Sequence, residues 1–318
     1  MEIKNLVQEI INGRRLTRVE NVAVFLTADL DDLCQGANEI RQALCGNKID
    51  LCSIINGKSG RCSEDCKFCA QSAHFQTNVE EYSLLNTEEI LNDCKKHMLK
   101  GVHRYSIVTS GRELSQRDLV DVCHTYKRMK EECNIHLCAS HGLLTKEAFA
   151  ALKESGVSMV HENIETSKRN FPNICTTHTY EDKINSIKAA QKVGLHVCSG
   201  GIIGMGETFE DRLDMAFSLA ELGVQSIPIN ALTPIKGTSY EHLSPLSEDE
   251  ILRTIAMFRF INPTAYIRLA AGRKLMLNSG QQAFLAGANA TITGDLLTTS
   301  GNNIEQDKEM LTQMGFQL

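Results

Sequence analysis

Three cysteines are closely spaced in the segment GRCSEDCKFCAQSAHF, at residues 60–75. Cys62, Cys66 and Cys69 follow the pattern C-x3-C-x2-C, in a chain of 318 residues that contains 12 cysteines. Three thiols in so short a polar segment pack poorly as core residues, so their spacing indicates metal ligation or redox chemistry. Iron–sulfur clusters are held by cysteine thiolates, and three ligands would leave the fourth iron of a cubane cluster open to a substrate or cosubstrate.

Two other interpretations of this segment remain open. Cys66 and Cys69 form a C-x2-C pair, which is also the pattern of thioredoxin-like redox sites, but that interpretation leaves Cys62 without a role. A structural zinc ion would require a fourth ligand, and His74 is available at the spacing C-x4-H. The iron–sulfur interpretation needs only the three cysteines, and we favour it for that reason.

Short apolar segments alternate with amphipathic helical segments from residue 51 onward, a pattern typical of a parallel α/β sheet. Helix starts are predicted where serine or threonine precedes acidic residues, at Ser115, Thr145, Thr179, Thr208 and Ser247. Eight strand–helix units favour a closed TIM-type (β/α)8 barrel over an open doubly wound sheet. We predict the strands at residues 51–55, 103–109, 135–139, 158–162, 195–199, 225–230, 265–270 and 289–293. The cysteine segment then follows the first strand, at the end of the barrel where such folds place their chemistry.

The rest of the chain sets the domain organisation and excludes several classes of partner. Residues 1–50 have helical periodicity and are predicted to form a cap before a barrel at residues 51–318 that ends with a C-terminal helix. The net charge of −6 and the lack of a basic cluster argue against nucleic-acid binding. The sequence lacks the run of about 18 apolar residues that a membrane span requires and also lacks a secretory signal, so we expect a cytoplasmic protein with reduced thiols.

The cysteine segment, with aromatic Phe68 just before its last cysteine, resembles the radical S-adenosylmethionine (SAM) superfamily. The resemblance implies that Cys62, Cys66 and Cys69 hold a 4Fe–4S cluster and that SAM binds the open iron. It also implies that one electron from the cluster cleaves SAM to a 5′-deoxyadenosyl radical, while the protein positions that radical.

Five separated motifs narrow the resemblance to the biotin synthase family. They are NGKSGRCSEDCKFCAQSAHF, VCSGGIIGMGET, SIPINAL, IRLAAGR and LAGANATITGDLLTT. Membership implies sulfur insertion into dethiobiotin, with an auxiliary iron–sulfur cluster as the sulfur donor. We also expect a flavodoxin or ferredoxin as electron donor, and a homodimer. The alternatives are a hydrogenase maturase or methylornithine synthase on the same scaffold, or a zinc or electron-transfer protein without SAM chemistry.

Residues on three predicted strands indicate a second cluster. Cys138 and Cys198 lie near the carboxyl ends of their strands, and Arg268 lies in an apolar strand, where an unpaired charge is costly. In the family, three cysteines and an arginine hold an auxiliary 2Fe–2S cluster, and these three residues match that set. Ser106 stands where the remaining cysteine is usual. We hypothesise that Cys175 replaces it and that the auxiliary cluster is a larger variant with four irons and an extra sulfide.

The remaining cysteines are expected to serve packing. They are Cys34, Cys45, Cys52, Cys94, Cys123 and Cys133.

The same resemblance assigns residues to SAM and to the substrate. The expected SAM contacts are Asn163 and Glu165 at the ribose, Lys183 at the carboxylate, and the turn with Gly204 and Gly206. The expected substrate contacts are Asn230, His161, Lys58, and the polar loop with Thr298, Thr299 and Ser300. Asn230 and Arg268 are expected to act in the reaction itself, since the Asn230 amide can both donate to and accept from the cyclic urea of dethiobiotin.

Overall fold

The strands of the protein form a closed parallel barrel. The computed structural model describes residues 2–20, 22–295, 297 and 301–318. The strands are β1 (Asp50–Lys58), β2 (Arg104–Thr109), β3 (His136–Ser140), β4 (Met159–His161), β5 (His196–Cys198), β6 (Gly201–Ile203), β7 (Ser226–Ala231), β8 (Tyr266–Leu269) and β9 (Ala290–Ile292). Parallel pairing runs from β1 to β5, passes to β7, and returns through β8 and β9 to β1. The predicted (β/α)8 fold is therefore confirmed.

Each predicted strand is present, and the structure adds β6, which the sequence pattern did not indicate. Strands β5 and β6 occupy one barrel position, because both pair with β7 in the same register, Cys198 with Ser226 and Gly201 with Ile229. The interruption falls at Gly200, where a Cβ atom would collide with the carbonyl oxygen of Pro228. Gly200 therefore permits the close approach of two strands at this point.

The helices cover the outside of the barrel. They are α1 (Ile3–Ile11), α2 (Val24–Thr27), α3 (Leu30–Cys45), α4 (Thr87–Leu99), α5 (Gln116–Glu132), α6 (Lys146–Glu154), α7 (Phe171–Ile174), α8 (Tyr180–Lys192), α9 (Phe209–Glu221), α10 (Glu248–Ile261), α11 (Gln281–Leu285) and α12 (Ile304–Gln313). The predicted N-caps are confirmed, since each side chain accepts a backbone N–H bond in the first turn of α5, α6, α8, α9 or α10.

The segment before β1 is helical, as predicted. Helix α3 packs against α1 and also against α10 of the barrel. The division into a cap at residues 1–50 and a barrel at residues 51–318 stays a prediction. Among the described residues, no helix has both the length and the apolar character needed to cross a membrane.

Candidate functional site

The loop with the three spaced cysteines folds back on itself after β1. The Cys62 N–H donates to the Gln71 carbonyl at 2.9 Å, and the Ala73 N–H donates to the Cys62 carbonyl at 2.8 Å. The Cys69 N–H donates to the Cys66 carbonyl at 2.9 Å. These bonds hold the three cysteines in one compact turn, so the structure brings together the residues that the spacing singled out.

Burial and nearby negative charges oppose the ionisation of a thiol in this loop, and a cation would stabilise the thiolate. Burial raises the pKa of Cys69 to about 11, and the negative charges of Cys62 and Glu165 add to the effect. Phe68 is half-buried and packs against the core beside these thiols. Metal binding requires thiolates, and a positively charged iron would offset the burial and repulsion that now oppose them. The donor set therefore fits a metal cluster.

His74 is not positioned as a fourth ligand. Its Nε2 atom lies 3.0 Å from the carbonyl oxygen of Ser63. Within the described part of the chain, the potential metal-binding group that includes a cysteine of this loop consists of Cys66, Cys175 and His178. The geometry gives no support to a zinc site on the three cysteines and His74.

Cys175 lies against the cysteine loop. Its Sγ atom is 3.7 Å from Cys66 Sγ, and the segment around it is tied to the loop by a Lys67 N–H bond to the Ile174 carbonyl at 2.9 Å. These contacts give no support to Cys175 as a ligand with Cys138 and Cys198, and its place in an auxiliary cluster stays a prediction. The segment after β4 returns across the barrel opening and reaches the loop, a path that the strand pattern does not specify.

The two neighbouring thiols have opposite pKa shifts. The Cys66 thiol donates a hydrogen bond to Cys175, and this bond, together with a contact with His178, outweighs burial and lowers the pKa of Cys175 to about 4. The same bond raises the pKa of Cys66, as does burial. Without a metal, Cys175 is thus the thiol of this pair that ionises first.

A second group of thiols converges inside the barrel. Cys138 on β3 interacts electrostatically with Cys198 on β5 and with Arg268 on β8, as expected, and also with Cys52 on β1. Burial raises the pKa of Cys52 to about 12, while the Arg268 cation acts in the opposite direction. Burial likewise raises the pKa of Cys138 and Cys198. Cys52, which was assigned to packing, is therefore the third thiol beside Arg268.

Ser106 lies in the same barrel interior. It is level with Ile54 on β1 and with Cys138 on β3, and it is buried. Its hydroxyl oxygen has no hydrogen-bond partner among the described residues. A buried hydroxyl without a partner is costly, which is consistent with a space that another group would fill.

Arg268 has an anionic partner that the sequence did not reveal. Its Nη2 atom donates to Asp50 Oδ1 at 2.6 Å, and the same carboxylate accepts from Arg104 Nε at 3.0 Å. Burial opposes the charged form of Asp50, but the Arg268 and Arg104 guanidiniums outweigh it and lower the pKa of the carboxyl group. Because side chains alternate along a strand, Asp50 and Cys52 face the same interior.

Two of the predicted SAM contacts are close together. The Asn163 amide donates to Glu165 Oε2 at 3.2 Å and accepts from the Gly200 N–H at 3.0 Å. Burial raises the pKa of Glu165. Lys183 Nζ donates to Glu162 Oε1 at 2.6 Å, in a buried ion pair. The Lys183 charge therefore already has a protein partner, Glu162, which no local sequence pattern indicates.

The glycine turn after β6 is fixed by a carboxylate. Gly204 and Gly206 have φ angles of 93° and 88°, in the left-handed region that glycine tolerates. The N–H groups of Gly204 and Met205 each donate to Glu207 at 2.7 Å, and Glu207 also accepts from Arg212 Nε at 2.7 Å. These two amides are therefore satisfied within the protein.

The predicted substrate contacts differ in how many of their polar groups already have partners within the protein. The Asn230 amide donates to the Gly201 carbonyl at 3.0 Å and accepts from the Ala271 N–H at 3.1 Å, so part of its capacity joins neighbouring strands. Lys58 Nζ donates to Asp118 Oδ2 at 2.8 Å. His161 is level with Cys198, and burial lowers its pKa to about 4, with Lys183 and Arg268 adding to the effect. Residues 298–300, including Thr298 and Thr299, lie outside the described residues.

Comparisons with known proteins identify the family. Residues 58–219 match the Radical SAM superfamily, and residues 228–317 match the Biotin and Thiamin Synthesis associated domain. The chain is 75% identical to the biotin synthase of Alkaliphilus metalliredigens over 318 residues, which are 100% of both chains. This chain belongs to the biotin synthase family. It is also 61% identical over 316 residues to the biotin synthase of Clostridium beijerinckii, covering 99% of this chain and 100% of that one.

Solved structures outside the biotin synthase family share the fold. A methylornithine synthase has a TM-score of 0.85 at 20% identity, covering 98% of this chain and 96% of its own. The FeFe-hydrogenase maturase of Carboxydothermus hydrogenoformans has a TM-score of 0.84 at 16% identity, covering 99% of this chain and 78% of its own. At these identities the likeness shows the fold alone, and the sequence match favours the biotin synthase family over both alternatives.

For this member of the biotin synthase family, we expect Glu207→Ala to lower the free energy of unfolding by about 3–5 kcal/mol. The change leaves Arg212 buried without an anion and removes the acceptor for two backbone amides. Urea unfolding under anaerobic conditions measures the loss. Glu210→Ala, a change at an exposed residue in the first turn of α9, is the control and should cost less than about 1 kcal/mol. Equal losses in the two variants would contradict the role given to Glu207.

Proposed function

We propose that this protein is a biotin synthase, which converts dethiobiotin to biotin by radical-mediated sulfur insertion. The observation that carries the proposal is the convergence of Cys52, Cys138, Cys198 and Arg268 inside a barrel whose opening bears the three-cysteine loop. Full-length identity of 75% to a biotin synthase supports the same reaction. A fold shared with other radical SAM enzymes would not by itself indicate this substrate.

Each group of thiols suits one of two iron–sulfur clusters. Cys62, Cys66 and Cys69 would hold a 4Fe–4S cluster, and Cys52, Cys138, Cys198 and Arg268 would hold the auxiliary cluster. When bound, the first cluster would supply the electron that cleaves SAM, and the auxiliary cluster would supply the sulfur. The protein contributes the positions of these ligands and a barrel interior shielded from water.

Polar residues near the loop would position SAM. The Asn163 amide donates to Glu165 and so orients the carboxylate, which can then accept bonds from the ribose hydroxyls. Lys183 neutralises Glu162 and lies close enough to Glu165 to favour its charged form. We propose that Asn163 and Glu165 hold the ribose of SAM, that Lys183 attracts its carboxylate, and that the turn with Gly204 and Gly206 supports its methionyl end.

Inside the barrel, Asp50 keeps Arg268 in place. The carboxylate bonds to one terminal nitrogen of the guanidinium, while the other nitrogen donates to the carbonyls of Asp50 and Thr291 at 3.3 and 3.2 Å. We propose that Asn230 on β7 and His161 on β4, on either side of the position that β5 and β6 share, contact the dethiobiotin ring. Lys58, Thr298 and Thr299 remain proposed contacts of its carboxylate tail.

We further propose that the auxiliary cluster differs from a 2Fe–2S cluster, with Cys52 in place of Cys175 as the substitute ligand. Support comes from Ser106 on β2, which cannot provide the usual thiolate, and from the thiol of Cys52 on the adjacent strand β1. Iron and sulfide counts with Mössbauer spectra distinguish two irons from four. A flavodoxin or ferredoxin as reductant and a homodimeric assembly complete the proposal.

Anaerobic turnover tests the proposed reaction. The reconstituted protein, given dethiobiotin, SAM and a low-potential reductant, should form biotin and 5′-deoxyadenosine, both scored by mass spectrometry. A Cys62→Ala variant is the control and should form neither product. Formation of 5′-deoxyadenosine without biotin would leave the superfamily in place but remove the substrate. Formation of neither product by the fully loaded wild type would overturn the proposal.

A further inference from the structure

Cys66, Cys175 and His178 form a cluster of metal-ligating side chains that the proposed reaction does not use as a unit. Their ligand atoms all lie within 4.8 Å of one another. Cys175 Sγ is 3.7 Å from Cys66 Sγ and 3.8 Å from His178 Nε2, the ring nitrogen that stays free for a metal when Nδ1 donates to Glu64. The three residues come from two segments, the cysteine loop and the turn after α7, that the fold holds together.

These distances match the spacing of ligands on one metal ion. With metal–sulfur bonds of about 2.3 Å, two thiolates on a tetrahedral ion lie about 3.8 Å apart. With a metal–nitrogen bond of about 2.0–2.1 Å, a thiolate and an imidazole on that ion lie about 3.6 Å apart. The observed separations are therefore within a few tenths of an ångström of those in a thiolate–imidazole site.

The surroundings of the three ligands favour a cation. Cys175 and His178 are buried, with 2% and 6% of their surface exposed. Glu64 Oε2 lies 2.6 Å from His178 Nδ1, and Asp65 Oδ1 lies 3.2 Å from Cys175 Sγ. Arg112 partly balances Glu64 from the solvent side, at 3.3 Å. Two carboxylates and two potential thiolates give the site an excess of negative charge that a divalent ion would neutralise.

We propose that Cys66, Cys175 and His178 bind a single divalent metal ion, Zn²⁺ or Fe²⁺, when the cysteine loop carries no cluster. Soft thiolate and imidazole ligands select these ions over Mg²⁺ or Ca²⁺. The three protein ligands leave a fourth position for water. Binding releases the proton of the Cys66 thiol, since only thiolates ligate.

The site and the 4Fe–4S cluster exclude each other. Cys66 is a ligand in both, and its sulfur cannot be the terminal ligand of a separate ion and of a cluster iron at once. A metal ion bound here therefore removes one of the three thiols on which the cluster is assembled. The chain with the bound ion is a distinct state that precedes or competes with the cluster-loaded state.

Titration of the full-length, cluster-free chain with Co²⁺ under anaerobic conditions tests the site. Tetrahedral Co²⁺ absorbs in the visible range, and its sulfur charge-transfer bands report thiolate ligation. We expect one equivalent to bind in the wild type and in Cys62→Ser and Cys69→Ser, which keep all three ligands. We expect the signal to be lost in Cys175→Ser and its intensity to fall in His178→Asn, with circular dichroism checking the fold of each variant. Binding that is lost in Cys62→Ser or Cys69→Ser but kept in Cys175→Ser would overturn the proposal.

Competition distinguishes the two ions and tests the exclusion. Displacement of Co²⁺ by both Fe²⁺ and Zn²⁺ assigns the site to either ion, displacement by one of them alone restricts it to that ion, and displacement by neither overturns the assignment. Chain preloaded with Zn²⁺ should assemble the 4Fe–4S cluster more slowly than metal-free chain, as followed by cluster absorbance. The delay should vanish in Cys175→Ser, and an equal delay in that variant would contradict a shared Cys66.

Discussion

We expect the Cys52→Ser variant to lose biotin formation by more than about 100-fold while it continues to cleave SAM. Cys52 lies with Cys138, Cys198 and Arg268 inside the barrel, and a serine oxygen is a poor substitute for a soft thiolate on iron. The three cysteines of the loop are unchanged, so 5′-deoxyadenosine should still form. Both products are measured by mass spectrometry in one anaerobic reaction, together with the iron and sulfide content of the protein.

Ser106→Ala is the matched control for this experiment. Ser106 is buried in the same barrel interior, and within the described residues its hydroxyl has no partner to lose. We expect this variant to keep its auxiliary iron and its biotin formation. Cys175→Ser should keep its auxiliary iron as well, because Cys175 lies at Cys66. Loss of auxiliary iron in Ser106→Ala with retention in Cys52→Ser would assign the ligand to serine and contradict the role of Cys52.

We expect Asp50→Asn to lower the free energy of unfolding by about 3–5 kcal/mol, because it leaves the buried guanidinium of Arg268 and the half-buried guanidinium of Arg104 without an anion. The effect should depend on pH. The pKa of Asp50 is lowered in the folded protein, so its stabilising contribution is complete above the ordinary aspartate pKa of about 4 and declines as the pH falls below it. The difference between wild type and variant in urea unfolding should therefore shrink on acidification.

Asp307→Asn separates this effect from the loss of any buried ion pair. Asp307 accepts two bonds from Arg273 at 2.8 Å, and both side chains are buried. We expect a comparable loss of stability in this variant but unchanged auxiliary iron, whereas Asp50→Asn should also reduce the auxiliary iron content because Arg268 loses its partner. Equal auxiliary iron in the two variants would show that Asp50 does not position Arg268.

The features that were predictable from sequence are those that depend on residues close together in the chain. The strand around Cys138 and the helix that Thr208 caps follow from patterns spanning a few residues, and both are present. The C-x3-C-x2-C spacing likewise specified one set of ligands within a single turn. The interior position of Cys52 was also predictable from local sequence. Side chains alternate along β1, so Cys52 lies on the same face as Asp50, a charged residue at the start of an apolar strand.

The sequence by itself determined the barrel, the family and the two ligand sets in outline, because periodicity, helix caps and short motifs are local. Only the tertiary structure decided which distant side chains meet. It placed Cys175 at Cys66 and paired Lys183 with Glu162. It also joined Arg268 on β8 to Asp50 on β1, with β9 between the two strands. These contacts depend on strand register and on the path of a long loop across the barrel opening, neither of which leaves a local pattern in the chain.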